Sequence, residues 1–253
     1  MATATADKTP LIGVAGWSIP AAYRSHFGEG DSVLARYATR LDCVEINSAF
    51  YRPHQRKTYA RWANSVPARF RFSVKMPKAI THEHALQRCG GLLDRFFDEC
   101  SGLGDKLGAV LVQLPPSLAF DARTASVFFA MARRRSPQTA ALVCEPRHRS
   151  WLSPEAEALL ARHRINRVGA DPDPIGAGGE PSASGACRYW RLHGSPRVYY
   201  SPYDEDRLGI LADRLDASPR AWVIFDNTAA GYAVRDALRL KQRMHGWSDA
   251  APD

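Results

Sequence analysis

Short runs rich in β-branched and aromatic residues recur along this chain at intervals of roughly 20 to 40 residues, each bounded by turn-forming residues. That is the pattern of parallel strands buried on both faces. Eight such runs stand out: 11–16 (LIGVAG), 43–47 (CVEIN), 70–76 (FRFSVKM), 109–114 (AVLVQL), 141–145 (ALVCE), 167–171 (RVGAD), 188–193 (RYWRLH) and 221–226 (AWVIFD). Between most of them apolar residues take helical spacing, as in Val33, Leu34, Tyr37, Ala38 and Leu41, or Leu92, Leu93, Phe96, Phe97 and Cys100. Asp121 is placed to cap a helix running to about Arg135, and Ser153 followed by Pro154 reads as an N-cap with proline at the first helical position. Late helices are expected over 204–215 and 229–245.

The alternation predicts an α/β fold: one (β/α)8 TIM barrel spanning 1–253, with its core at about 11–245. An open doubly wound sheet is the alternative, but no G-x-G-x-x-G turn follows any strand. One unit departs from the repeat. The stretch 172–185 (PDPIGAGGEPSASG) is too rich in glycine and proline for a helix, so an irregular loop is expected after the sixth strand, at the barrel mouth.

Strand parity then sorts the polar residues, because residues two apart share a face. Val44 and Ile46 pair as an apolar face, which turns Cys43, Glu45 and Asn47 inward. The same reading turns Ser73 and Lys75, Glu145 and then Arg147, and Arg191 and His193 toward the interior. Most of these lie at the carboxyl ends of their strands, where Gln113, Asp171 and Asp226 or Asn227 join them. Barrels of this kind carry their chemistry there. Glu45 and Lys75 are expected as an ion pair on adjacent strands, or as an acid or base beside an anion-holding or nucleophilic amine. Glu145 and Arg147 are a second i, i+2 pair; alternatively Arg147, Arg191 and His193 form a cationic pocket for a phosphate or carboxylate. Loop aromatics, chiefly Trp17, Tyr51, Trp151, Tyr199, Tyr200 and Tyr203, offer stacking surfaces or ordinary loop packing.

Composition narrows the picture. At 45% hydrophobic residues the 253-residue chain can bury a full core. No run of about 18 apolar residues and no apolar stretch of signal-peptide length at 1–10 is present, so a soluble, cytoplasmic protein without membrane contact is expected. The five cysteines have no C-x-x-C spacing and read as buried thiols. His82 and His84 in ITHEH lack the i, i+4 spacing of a zinc helix. Glu45, Glu145, Asp171 and His193 could together chelate a divalent ion, and no other cofactor is expected. The net charge of +8 favours anionic partners, yet the arginines are dispersed along the sequence rather than blocked together, save for the run at 133–135.

The strings GVAGWS, VEINSAFY, FRFSVKMPKAITHE, KLGAVLVQLPPS, EPRHRSW, RLHGSPRVYYSPY and FDNTAAGYA, in this order from about Ile12 to Leu240, resemble the YecE-like family, a domain of unknown function. The resemblance implies a TIM barrel and supplies no reaction. Its recurring polar positions correspond here to Glu45, Asn47, Tyr51, Lys75, His82, Gln113, Glu145, Arg147, His148, Trp151, Arg191, His193, Gly194, Tyr203 and Asn227. Two departures are evident: IPAAYRSHF stands where the family often has a second tryptophan, and Asp226 stands where it often has asparagine.

The expectation is an enzyme acting by acid/base catalysis at the barrel mouth on a small or polymeric anionic substrate that bears phosphate or carboxylate. Glu45, Lys75, Glu145 and His193 are its candidate catalytic groups. Asn47, Tyr51, His82, Gln113, Arg147, His148, Trp151, Asp171, Arg191, Tyr203 and Asn227 are its candidate binding groups. The alternatives are a metal-dependent phosphoester hydrolase and a non-catalytic binder of nucleic acid or protein, whose mark would be a contiguous basic surface away from the mouth.

Overall fold

The computed structural model describes residues 9–182, 187–216, 218 and 220–245. Nine strands form one sheet: β1 (Leu11–Ala15), β2 (Cys43–Ile46), β3 (Arg71–Lys75), β4 (Leu107–Gln113), β5 (Ala141–Glu145), β6 (Ile165–Arg167), β7 (Gly169–Asp171), β8 (Arg188–Leu192) and β9 (Ala221–Phe225). Their order is β6-β5-β4-β3-β2-β1-β9-β8-β7, and every paired neighbour is parallel. The ring closes through the chain itself. Residues 165–167 pair with β5, residues 169–171 pair with β8, and Val168 between them donates its N–H to the Cys144 carbonyl at 2.8 Å. The molecule is therefore a nearly closed α/β barrel in which the sixth predicted strand is divided in two.

That division has a local cause. Arg167 lacks a partner on the β8 side, and Ser182 supplies one: its hydroxyl accepts the Arg167 N–H at 2.8 Å and its N–H donates to the Arg167 carbonyl at 3.0 Å. Ser182 ends the described part of the irregular loop, which contains no helix, as its composition requires. The loop's described residues lie against the outer face of β7, where a Cβ on Gly169 would stand 2.4 Å from the Gly179 carbonyl. The Asp173 carboxylate gathers the N–H groups of Ile175, Gly176, Gly178 and Gly179, and Arg167 holds the Glu180 carbonyl. These bonds lay the loop along the outside of the seam, where a helix would otherwise stand. Residues 183–185 of the predicted loop lie outside the described residues.

Helices α1 (Val33–Tyr37), α2 (Ser48–Tyr51), α3 (Arg56–Asn64), α4 (Gly90–Cys100), α5 (Ala122–Arg135), α6 (Pro154–Arg162), α7 (Glu205–Asp216) and α8 (Tyr232–His245) connect the strands. The caps read from sequence are formed: Asp121 accepts the Thr124 N–H at 2.8 Å and Ser153 accepts the Ala156 N–H at 3.2 Å. Two apolar cores result. The larger lies between helices and sheet, and a smaller one fills the lower barrel with Cys43, Ala109, Leu111, Val143, Tyr189, Trp222 and Ile224. Gly13 belongs to that crowded interior, because a Cβ there would stand 2.0 Å from the Cys43 carbonyl oxygen. All five cysteines are buried and unbridged. No described helix is long and apolar enough to cross a membrane.

Candidate functional site

Above that apolar plug the barrel interior turns polar. Glu45 ends β2, Ser73 and Lys75 lie on β3, Glu145 ends β5, Tyr189 and Arg191 lie on β8, and His193 and Asp226 follow β8 and β9 directly. Arg191 is the centre of the group and is fully buried. Four of its N–H bonds go to carboxylates: Nε and Nη2 to Glu45 at 3.1 and 2.8 Å, Nη1 to Glu145 at 2.6 Å, and Nη2 to Asp226 at 2.9 Å. The Tyr189 hydroxyl donates to Glu45 Oε2 at 2.8 Å and lies 2.8 Å from Ser73 Oγ, from which it accepts. A buried ion costs several kcal/mol in lost hydration. Here each carboxylate recovers that cost through charged hydrogen bonds in a site of low polarisability.

His193 is set between two acids. Its Nδ1 is 3.1 Å from Asp226 Oδ2 and its Nε2 is 3.0 Å from Glu145 Oε1, while Arg147 Nη2 lies 3.2 Å from the same Nε2. As an imidazolium the ring donates to both carboxylates; as a neutral ring protonated on Nδ1 it accepts from Arg147. The edge of Tyr199, whose centroid is 5.9 Å away, covers it.

The charges follow from these contacts. Burial alone would lower the His193 pKa, but Glu145 and the hydrogen bonds from Asp226 and Glu145 outweigh it, and it stands above the ordinary histidine value. Burial would raise Glu145, yet Arg191, Arg147 and His193 hold it well below the usual carboxylate range. Asp226 is likewise depressed, with burial overcome by Arg191 and His193. Burial would lower Arg191, but its three carboxylates push it well above the ordinary arginine value. Lys75 is lowered, first by burial and then by Arg191. His82 is lowered by burial and by Lys75, Lys78 and Arg147.

Several expected contacts are rearranged. Glu45 and Lys75 form no ion pair, because both Glu45 oxygens are taken by the Arg191 fork and by Tyr189. Lys75 Nζ instead sits 4.3 Å from the centroid of the Phe50 ring, with no hydrogen bond or carboxylate partner among the described residues. Arg191 does not present itself to a ligand, since its donors are spent on acids. Arg147 does pair with Glu145, at 2.5 Å, so the arginines and His193 form an ion network rather than an empty cationic pocket.

Around this centre Gln113 stands in register with Glu145, and His82 packs edge-on against Phe50 with centroids 5.1 Å apart. Asn47 follows β2 with a buried Oδ1 that has no partner, and Tyr51 is 80% exposed beside Phe50. Other candidates are placed elsewhere. Asp171 points outward to Arg207 on α7, because it shares the helix-facing parity of Ile165 and Arg167, while Asn166, Val168 and Ala170 take the inner face. The Glu45, Glu145, Asp171 and His193 set therefore does not assemble, and Arg191 fills the space between the acids that do. No group of three or more His, Cys, Asp or Glu side chains among the described residues is arranged to hold a metal ion.

Trp151 is buried under the outer helices, donates to the Leu118 carbonyl and packs on Phe120 and Phe129. His148 caps its own turn by accepting the Ser150 N–H. Tyr203 and Asn227 tie loops together. The Tyr203 hydroxyl donates to the Asp171 carbonyl and accepts from Gly194, while the Asn227 amide donates to Asp236 and to the Ser201 carbonyl.

Five participants carried weak or unused signals. Tyr189 shares the parity of Arg191 and His193, and Ser73 that of Lys75. Asp226 was inseparable from Asn227 until the strand end was known. Phe50 and Tyr199 lie on loops, where no periodicity indicates direction.

A family model described as a protein of unknown function, DUF72, matches residues 11–252. The UPF0759 protein YecE of Escherichia coli (strain K12) is 34% identical over 104 residues, 41% of this chain and 37% of that protein. The aligned stretch thus spans little more than a third of the relative. A DUF72 family protein from Enterococcus faecalis V583 has the same fold, with a TM-score of 0.76 at 20% identity over 96% of this chain and 100% of that one. Another from Thermotoga maritima MSB8 gives a TM-score of 0.72 at 22% identity, over 93% and 99% of the two chains.

Proposed function

Because this chain belongs to the DUF72 family, whose description carries no reaction, we propose a function from its own geometry: an enzyme that moves a proton on a small anion-bearing substrate at the carboxyl-end mouth of the barrel. Lys75 and Arg147 draw in the phosphate or carboxylate, His193 gives or takes the proton, and Arg191 holds Glu45, Glu145 and Asp226 in place without touching substrate. The observation that carries this reading is Lys75: its ammonium has no acid partner among the described residues, beside a network in which every other charge is matched.

Charge balance supports it. Glu45, Glu145 and Asp226 offset Arg147, Arg191 and Lys75, so the centre is neutral until His193 takes up a proton. An anion arriving near Lys75 and a proton arriving at His193 then stabilise one another, and substrate affinity rises as the pH falls through the raised His193 value.

The test begins with a panel of phosphorylated and carboxylated small molecules, scored by the thermal shift each produces. Lys75→Gln is expected to lose the shift of any mouth ligand. His193→Asn is expected to keep the binding the parent shows above the raised His193 value, without its gain at lower pH, and to lose roughly 10²–10⁴-fold in turnover of that ligand, the usual share of a general acid or base. An undiminished shift in the lysine variant, or full turnover in the histidine variant, refutes the corresponding role.

A further inference from the structure

At the opposite end of the barrel, where the strands begin, lies a cavity of about 530 Å³. Its floor includes Trp222, and its walls carry the side chains of Arg69, Arg71, Arg133, Arg164 and Arg220, with no aspartate or glutamate among the lining residues. None of the five arginines has a carboxylate partner within ion-pair distance among the described residues. Other arginines of the fold, such as Arg167, Arg188 and Arg214, do.

This end of such barrels ordinarily serves stability, and Arg71 and Arg133 do so by donating to the carbonyls of Ala68 and Phe70 and of Ala140, His163 and Arg164; that role does not account for Arg69, Arg164 and Arg220 on the same cavity, where like charges repel. Two of them also sit in the left-handed backbone region: Arg164 at φ 55° and Arg220 at φ 57°, in the turns that lead into β6 and β9. Glycine or asparagine adopts that conformation with less strain, so the turns alone give no reason for arginine. Arg133 is immobilised as well, with Nη2 on the Arg164 carbonyl at 2.7 Å and Nη1 on the Ala140 carbonyl at 3.3 Å. The result is a concave surface lined by five arginines, two of them anchored on backbone carbonyls, whose volume is that of a small-molecule site.

We infer that this cavity binds a small, multiply charged anion of the phosphate class, of the size of a nucleoside di- or triphosphate or a sugar bisphosphate. Guanidinium forks match phosphate oxygens in pairs, and several phosphates are needed to balance five charges. A concave hollow of this volume, open on one side, suits a compact ligand better than a polymer, which a long exposed track would serve.

The experiment titrates the full chain with inorganic tripolyphosphate by calorimetry at moderate salt. The Arg164→Gly/Arg220→Gly double variant is expected to be as stable as the parent in phosphate-free buffer, because glycine relieves both turns, and to bind tripolyphosphate roughly tenfold or more weakly. Arg69→Gln on the exposed rim gives the same reading should the double variant fail to fold. Lys75→Gln, at the mouth, is expected to leave this binding unchanged, which separates the site from the one proposed above. Equal binding by the parent and the arginine variants, or binding that disappears with Lys75, overturns the inference. So does a single-stranded oligonucleotide that binds through these arginines and is not displaced by tripolyphosphate.

Discussion

Three carboxylates inside a barrel are tolerable only because one guanidinium reaches all of them. Arg191→Met removes the shared partner and leaves Glu45, Glu145 and Asp226 buried with unmatched charge. Its expected cost is about 3–5 kcal/mol in chemical denaturation at neutral pH. A loss below about 1 kcal/mol would mean that water or rearranged neighbours already satisfy the acids. His193 gives the centre a pH dependence of definite sign. Its folded pKa is raised above the ordinary 6.5, so its contribution to stability is complete below that value and is lost as pH rises through the folded one. The stability difference between the parent and His193→Asn should therefore shrink as pH rises from the ordinary value through the raised folded one; a difference that grows would assign the proton elsewhere. Glu145 and Asp226 act oppositely. Their depressed values give a contribution present above the ordinary carboxylate range and lost as pH falls through the folded values.

Among the connecting segments, the loop after β7 shows how one side chain replaces a helix. Asp173 accepts four backbone N–H groups, and that charge-assisted nest keeps a glycine-rich stretch in one conformation. Asp173→Ala should cost about 1–3 kcal/mol locally, visible as faster amide exchange at Ile175, Gly176, Gly178 and Gly179, with the mouth unaffected. Unchanged exchange would show that Arg167 and Ser182 hold the loop by themselves. The next loop, after β8, is placed by Gly194, at φ 90°, where a Cβ would stand 2.7 Å from the Ser201 carbonyl. That turn carries Tyr199 over His193. Helix starts were legible because Asp121 and Ser153 act on N–H groups three residues away. The path of 172–182 was not legible, because glycine and proline signal the absence of a helix without saying where the chain goes instead.

The barrel separates its two charged ends by the height of its strands. Arg71 and Lys75 begin and end the same strand, about 13 Å apart at the usual rise per residue, and the inner apolar core lies between the two ends. Substitutions at the ends should accordingly add: combining Arg191→Met with Arg164→Gly is expected to change unfolding free energy by the sum of the single effects to within about 0.5 kcal/mol. A larger coupling would reveal communication through the plug.

Alternating apolar and polar residues determined the strands, their parallel course and the inward direction of Glu45, Lys75, Glu145, Arg191 and His193, because a two-residue period is written locally in the chain. Which of those groups touch was decided only by closure of the ring. Adjacent strands made Glu45 and Lys75 plausible partners, but the reach of Arg191 across the interior took Glu45 away from Lys75 and left the lysine free. Asp171 shares the outward parity of Ile165 and Arg167, so its place at a strand end did not bring it into the mouth, and no local pattern announces a ladder passing from one neighbour to another at Val168. Arg69, Arg71, Arg133, Arg164 and Arg220 are scattered over about 150 positions of sequence and meet at one cavity, since parallel strands bring all their starting turns to the same end. Periodicity records direction at each residue, whereas proximity between distant residues exists only once the chain has closed on itself.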